Sequence, residues 1–135
     1  MATDSLPAPW SRGRLVVRRG RVSKAHARTD YLELSVRDAA RSKEFYAAAF
    51  GWTFQDYGPG YIGFNDGTGE SGGMRVEAEP APPLAVLYAE DLDAVKARVV
   101  AAGGTLAGPE IEFPGGRRFH FRDPSGNELA VWTRA

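Results

Sequence analysis

The sequence contains no cysteine, no long apolar run and no net excess of charge of either sign. The absence of cysteine excludes disulfides, thiolate metal ligands and a cysteine nucleophile. No run approaches the roughly 18 apolar residues of a membrane-spanning helix, and no signal-peptide core is recognisable. With 135 residues, of which 43% are hydrophobic and 25% charged, the composition is that of one globular domain. We expect a cytoplasmic protein that does not bind membranes.

The zero net charge hides an uneven distribution. Residues 1–29 contain seven lysines and arginines against a single acidic residue, Asp4, whereas residues 30–135 are acidic overall. The first segment also carries Pro7 and Pro9 and shows no helical hydrophobic period. We interpret residues 1–29 as a flexible basic arm. The alternatives are an arm that contacts nucleic acid or a protein partner, with nucleic acid the less expected of the two, and a transit peptide.

From residue 30 onward the same pattern of elements occurs twice, in residues 30–79 and 84–133, with a proline-rich linker at 80–83. Each copy has a strand, then a helix that starts after an aspartate, then three short strands. The predicted helices are 39–50 and 92–102, and the predicted strands are 31–36, 52–54, 61–64, 74–77, 84–89, 111–113, 118–121 and 128–132.

The two copies keep the same spacing. Asp38 and Asp91 are 53 residues apart, as are Gly51 and Gly104. A repeat at a fixed offset indicates two copies of one structural unit, and neither unit closes a sheet alone. The predicted fold class is therefore α+β: two tandem βαβββ modules that form one curved mixed sheet, a cup, with both helices on its outer face.

Several residues at the helix of the first module, together with the turn at 123–127 and the apolar strand after it, carry a family resemblance. The pattern resembles the vicinal oxygen chelate superfamily of glyoxalases, bleomycin-resistance proteins and dioxygenases, over residues 30–133. The resemblance implies small-molecule chemistry inside the cup and a homodimer that covers the sheet edges. The residues of the first module that carry it are Val36, Arg37, Asp38, Ser42, Phe45, Tyr46, Phe50 and Gly51.

Metal enzymes of this superfamily hold a divalent ion with His, Gln or Glu on four strands. The resemblance places those four positions at Tyr31, Gly73, Leu84 and Ala130. A first-row metal needs three or four imidazole or carboxylate ligands, and none of these side chains is one. We therefore predict no metal and no other cofactor.

Strand alternation indicates which side chains face the cup. Leu32, Leu34 and Val36 are predicted to lie beneath the first helix, with Phe119 and Phe121 beneath the second. Residues of opposite parity then line the cup, and together they form an aromatic pocket with one carboxylate on its buried side and several basic groups. The predicted ligand-binding residues are Tyr31, Tyr61, Arg75, Tyr88, Arg118, Glu128 and Trp132.

Glu33 is a carboxylate in the middle of a strand, where it costs several kcal/mol unless it is paired. It is either half of a structural ion pair with Arg75 or Arg118, or a ligand anchor or general base. His120 is the second candidate catalytic residue, and its alternative role is a hydrogen-bonded wall of the pocket.

The leading functional hypothesis is a metal-independent small-molecule-binding protein, as bleomycin-resistance relatives are. Whether it is an enzyme is left open. One alternative is a lyase or isomerase that uses Glu33 as base, or a metal enzyme with displaced ligands such as Glu33, His120 and Glu128. The other is a regulatory module that acts through the basic arm. The predicted partners are an unidentified small molecule and a second copy of the chain.

Overall fold

The computed structural model describes residues 26–135, so most of the predicted basic arm lies outside the described residues. The first strand begins at Ala27, four residues earlier than predicted, because residues 27–29 pair with the strand that opens the second module. The elements are β1 (Ala27–Val36), α1 (Ala39–Phe50), β2 (Thr53–Asp56), β3 (Tyr61–Asn65), β4 (Glu70–Val76), β5 (Leu84–Ala89), α2 (Leu92–Ala101), β6 (Thr105–Leu106), β7 (Ile111–Phe113), β8 (Gly116–Arg122) and β9 (Glu128–Arg134).

The strands form one mixed sheet in the order β2-β3-β4-β1-β5-β9-β8-β6, with β7 beside β8. Within the modules, β1 runs parallel to β4 and β5 runs parallel to β9, as the crossover helices require. The modules join through the antiparallel pair of β1 and β5. The predicted fold class of two βαβββ modules in one curved sheet is confirmed.

The sheet curls strongly. In a flat sheet β1 and β8 would lie about 14 Å apart, since two strands separate them and neighbouring strands are spaced by about 4.8 Å. Yet the Arg118 guanidinium on β8 reaches the Glu33 carboxylate on β1 at 3.1 Å. The face that carries these two side chains is therefore concave, and we call it the cup.

Helix α1 covers the outer face of the first module. Asp38 caps it by accepting a hydrogen bond from the Arg41 N–H, and Gly51 ends it with φ of 75°.

The core beneath α1 contains Val36, Ile62, Phe64 and Met74, as alternation predicts. Tyr46 stacks on Trp52, which in turn stacks on Phe64, whereas Phe45 and Phe50 remain 59% and 63% exposed.

Helix α2 covers the outer face of the second module. Leu92 and Val95 pack on Phe119 and Val131, and Phe121 lies against the same cluster, as predicted. The predicted helix ran to Ala102, which is its exposed C-cap instead.

Leu32 on β1 was predicted to lie beneath α1 but is 39% exposed, because the core under α1 includes only the later residues of β1. Neither described helix is long and apolar enough to cross a membrane.

Candidate functional site

A four-residue polar cluster occupies the centre of the cup. Glu33 is 3% exposed, and its Oε1 accepts hydrogen bonds from Arg75 Nη1 at 2.7 Å and from Arg118 Nη2 at 3.1 Å. Its Oε2 accepts from Arg118 Nη1 and from the Tyr61 hydroxyl, both at 3.2 Å. We refer to Glu33, Arg75, Arg118 and Tyr61 as the Glu33 cluster.

The Glu33 carboxylate is saturated. An ionised carboxylate has about four acceptor sites, and four donors fill them here. Arg118 binds as a bidentate fork, the strongest geometry for this pair. Burial lowers the pKa of Arg118, but its hydrogen bonds to Glu33 and the charge of that residue outweigh burial, so the net shift is upward. To accept a substrate proton, Glu33 would first have to lose one of these bonds.

Two half-buried tyrosines, Tyr61 within the cluster and Tyr31 beside it, have raised pKa values. Burial raises the pKa of Tyr61, and the negative charge of Glu33 raises it further. The pKa of Tyr31 is raised for the same two reasons, in the same order. Both phenols therefore remain protonated at neutral pH and act as hydrogen-bond donors rather than as anions.

Gly73 makes room for Tyr61. Gly73 pairs with Glu33 in the β1–β4 ladder, and the Tyr61 ring lies over it. A Cβ atom added at Gly73 would overlap the Tyr61 phenol. The absence of a side chain at position 73 thus permits the hydrogen bond between Tyr61 and Glu33.

A second polar pair lies on the concave side of β8 and β9. The His120 Nδ1 is 2.9 Å from Glu128 Oε2, and Glu128 also accepts from Arg122. The His120 Nε2 is buried and has no hydrogen-bond partner among the described residues. The contact with Glu128 fixes the orientation of the ring, and His120 does not line the cavity described below.

Beside the Glu33 cluster lies a cavity of 290 Å³, which we call the aromatic cavity. This volume is at the lower end of the range for small-molecule sites. The rings of Tyr31, Tyr61 and Trp132 line it, together with three residues that were not among the predicted site residues: Asp30, Glu70 and Gly72.

The predicted site residues thus fall into distinct groups. Tyr31, Tyr61 and Trp132 line the aromatic cavity, Arg75 and Arg118 hold Glu33, and Glu128 holds His120. Tyr88 does not line that cavity. Its ring packs edge-on against Trp132, with the guanidinium groups of Arg28 and Arg134 over it, which makes it a support for the cavity wall.

Asp30 escaped prediction because β1 is irregular there. The pairing of β1 with β5 shifts register between Thr29 and Tyr31, so simple alternation fails at Asp30. Its Oδ2 accepts a hydrogen bond from Trp132 Nε1 at 2.8 Å, which brings its carboxylate to the cavity. Glu70 was missed for another reason: β4 begins at Glu70, four residues before its predicted start.

The four positions at which the family resemblance places metal ligands do not supply a metal-binding donor set. Leu84 and Ala130 belong to a buried apolar cluster, Gly73 has no side chain, and Tyr31 carries a phenol whose pKa is raised. Within residues 26–135 no three His, Asp or Glu side chains are grouped closely enough to hold an ion.

Comparison with known proteins agrees with the fold. A curated protein of Mycobacterium tuberculosis named "Putative glyoxylase CFP32" is 28% identical over 115 residues, which cover 76% of this chain and 44% of that protein. The same match occurs in Mycobacterium bovis. The chain therefore spans less than half the length of these curated relatives.

Two solved structures illustrate the structural similarity. The Mn(II)-bound glyoxalase of Novosphingobium aromaticivorans superposes with a TM-score of 0.60 at 25% identity, covering 80% of this chain and 40% of that one. Methylmalonyl-CoA epimerase of M. tuberculosis superposes with a TM-score of 0.66 at 14% identity, covering 79% of this chain and 87% of that one. The second similarity is one of fold alone.

The sequence profile of one family matches residues 28–131, a range that runs from β1 into β9 and includes the whole Glu33 cluster. The chain belongs to the glyoxalase/bleomycin resistance protein/dioxygenase superfamily.

Proposed function

We propose that this protein binds a small molecule in the aromatic cavity without a metal ion. The observation that carries the proposal is the saturation of Glu33: the centre of the cup is filled by this carboxylate and the two arginines that bind it, and the space beside it is lined by aromatic residues. Aromatic walls with a few fixed polar groups are typical of sites that bind small organic molecules.

Metal independence is supported by the chemistry of the four ligand positions. A phenol that stays protonated, a glycine and two buried aliphatic side chains offer no anionic or imidazole donor to a divalent ion. Glu33, which pairs with Gly73 and Leu84 in the strand ladders, already has all its acceptor sites filled.

The test is a thermal-shift screen of metabolites and antibiotics in the presence of a chelator. We expect at least one compound to raise the unfolding temperature, since ligands that bind only the folded state stabilise it. The shift should disappear in Tyr31→Leu, which removes a ring from the cavity lining, and persist in Phe50→Leu, whose ring is 63% exposed on α1 and lies outside the cavity.

The proposal fails if no compound stabilises the chelated protein, or if every shift survives Tyr31→Leu. A compound that binds only after a divalent ion is restored would contradict metal independence while leaving the location of the site intact.

A proton-transfer enzyme is the second candidate, and one observation favours it. His120 has a buried, unpartnered Nε2 among the described residues and a carboxylate on its other ring nitrogen, which is the arrangement of a general base held in one tautomer. Mass spectrometry of the compounds recovered from the screen separates the two candidates. A binder returns the compound unchanged, whereas an enzyme returns a product.

A homodimer is also part of the proposal. Phe45 and Phe50 on α1 are more than half exposed, and burial of such rings between two copies would be favourable. Residues 1–25 of the basic arm lie outside the described residues, and the interaction of the arm with a partner remains a prediction.

A further inference from the structure

The walls of the aromatic cavity have an unusual combination of groups. Three aromatic rings, from Tyr31, Tyr61 and Trp132, come from strands β1, β3 and β9, and two carboxylates, from Asp30 and Glu70, accompany them. Among residues 26–135, no arginine or lysine lines the cavity. Ring faces carry partial negative charge, so the rings and the carboxylates favour the same kind of ligand.

The charges around the cavity are not balanced. The two arginines of the Glu33 cluster are taken up by carboxylates, since Arg118 pairs with Glu33 and Arg75 lies between Glu33 and Glu77. Arg28 pairs with Asp30 at 3.2 Å but is 53% exposed, where such a pair contributes little. The other carboxylate of the cavity lining, that of Glu70, forms no ion pair within the part of the chain that the structure describes.

Glu70 has no cationic partner among residues 26–135, and its hydrogen bond comes from the Tyr57 hydroxyl at 3.2 Å. The charge of Glu70 raises the pKa of Tyr57 more than any other cause does. Glu70 thus adds a carboxylate without a cationic partner among the described residues to a cavity whose other lining residues are three aromatic residues, Asp30 and Gly72.

We infer that the aromatic cavity binds a small organic cation, such as a quaternary or protonated amine, between its three rings and its two carboxylates. Cations bound over aromatic faces gain most when water is excluded, and sets of aromatic rings recognise quaternary ammonium groups in this way. The inference rests on the proposed function and specifies the chemical class of its ligand.

The test compares choline with its uncharged isostere 3,3-dimethylbutan-1-ol, in which carbon replaces the nitrogen. Binding to the full chain is followed by NMR through the indole N–H of Trp132, which donates to Asp30 in the cavity wall. We expect choline to bind about tenfold more tightly than the alcohol, because shape and apolar contact are the same and only the charge differs.

Glu70→Gln should weaken choline binding severalfold and leave the alcohol unaffected. Glu44→Gln is the matched control: it removes the same charge from an exposed position on α1, outside the cavity, and should leave both affinities unchanged.

Equal affinities for choline and the alcohol would overturn the inference and leave the proposed small-molecule site standing. Absence of binding by either probe would also overturn it, and the proposed function is then decided separately by the chelated screen. An equal loss of choline affinity in Glu70→Gln and Glu44→Gln would show long-range charge attraction rather than a site, and would likewise overturn it.

Discussion

Replacement of Glu33 by glutamine is expected to lower the free energy of unfolding by about 3 to 5 kcal/mol, the usual loss when one partner of a buried ion pair is removed. The variant leaves Arg118, whose side chain is 11% exposed, with a buried charge and no anion. It also removes one acceptor oxygen from the four hydrogen bonds at the carboxylate. Urea unfolding of the variant and the wild type measures the difference.

Glu77→Gln is the matched control for this variant. Glu77 also lies near Arg75, with 3.3 Å between Arg75 Nε and Glu77 Oε2, but its side chain is 36% exposed and the expected loss is below about 1 kcal/mol. A second variant, Glu33→Gln with Arg118→Met, should recover part of the stability, because it removes the uncompensated charge. If Glu33→Gln unfolds at the same urea concentration as the wild type but loses ligand binding, Glu33 has a functional role and not a structural one.

Replacement of Gly73 by alanine is expected to lower the free energy of unfolding by about 1 to 3 kcal/mol, the usual cost of overpacking a buried site. The backbone at Gly73 does not have positive φ, so the cost comes from contact alone. The new methyl group would displace the Tyr61 ring and break its hydrogen bond to Glu33. The Tyr61 ring would also have to move before any side chain at position 73 could bind a metal ion.

Gly63→Ala provides the control because Gly63 is the cross-strand partner of Gly73. A Cβ atom at Gly63 would also meet a tyrosine, with Tyr57 Cε2 at 2.7 Å, but that ring is 53% exposed and can move aside. We expect Gly63→Ala to cost much less than Gly73→Ala. Truncation of Tyr61 to alanine in the Gly73→Ala background should relieve the overlap, so the two changes should cost less together than their sum. Additive losses would show that Tyr61 does not occupy the space above Gly73.

Local sequence signals account for most of the fold. Capping residues indicate where the helices begin and end. Asp38 and Asp91 cap the two helix starts, and Gly51 ends the first helix in the αL conformation. Because a cap forms hydrogen bonds only with residues a few positions away, it can be recognised from the local sequence. Strand alternation placed Glu33 and Arg118 in the cup and Phe119 beneath α2, as observed. These features depend on neighbours in sequence, so the sequence displays them.

The arrangement of the site depends on contacts between distant strands. Alternation indicates that Glu33, Arg75 and Arg118 share a face, but only the curvature of the sheet decides that both arginines bind the same carboxylate. The bulge before Tyr31 brings Asp30 to the cavity against the alternation of the strand. From the sequence, Gly73 was identified only as a metal-ligand position without a donor side chain. Its role in making room for Tyr61 is visible only in the packed structure.

The most direct measurement is calorimetric titration of the chelator-treated protein with Zn²⁺, Ni²⁺, Mn²⁺ and Fe²⁺, together with the unfolding temperature in each ion. Because the ligand positions carry Tyr31, Gly73, Leu84 and Ala130, and Glu33 is saturated, we predict no stoichiometric binding and no change in that temperature. One tightly bound ion per chain, with a raised unfolding temperature and loss of binding in His120→Ala, would contradict a metal-independent cup.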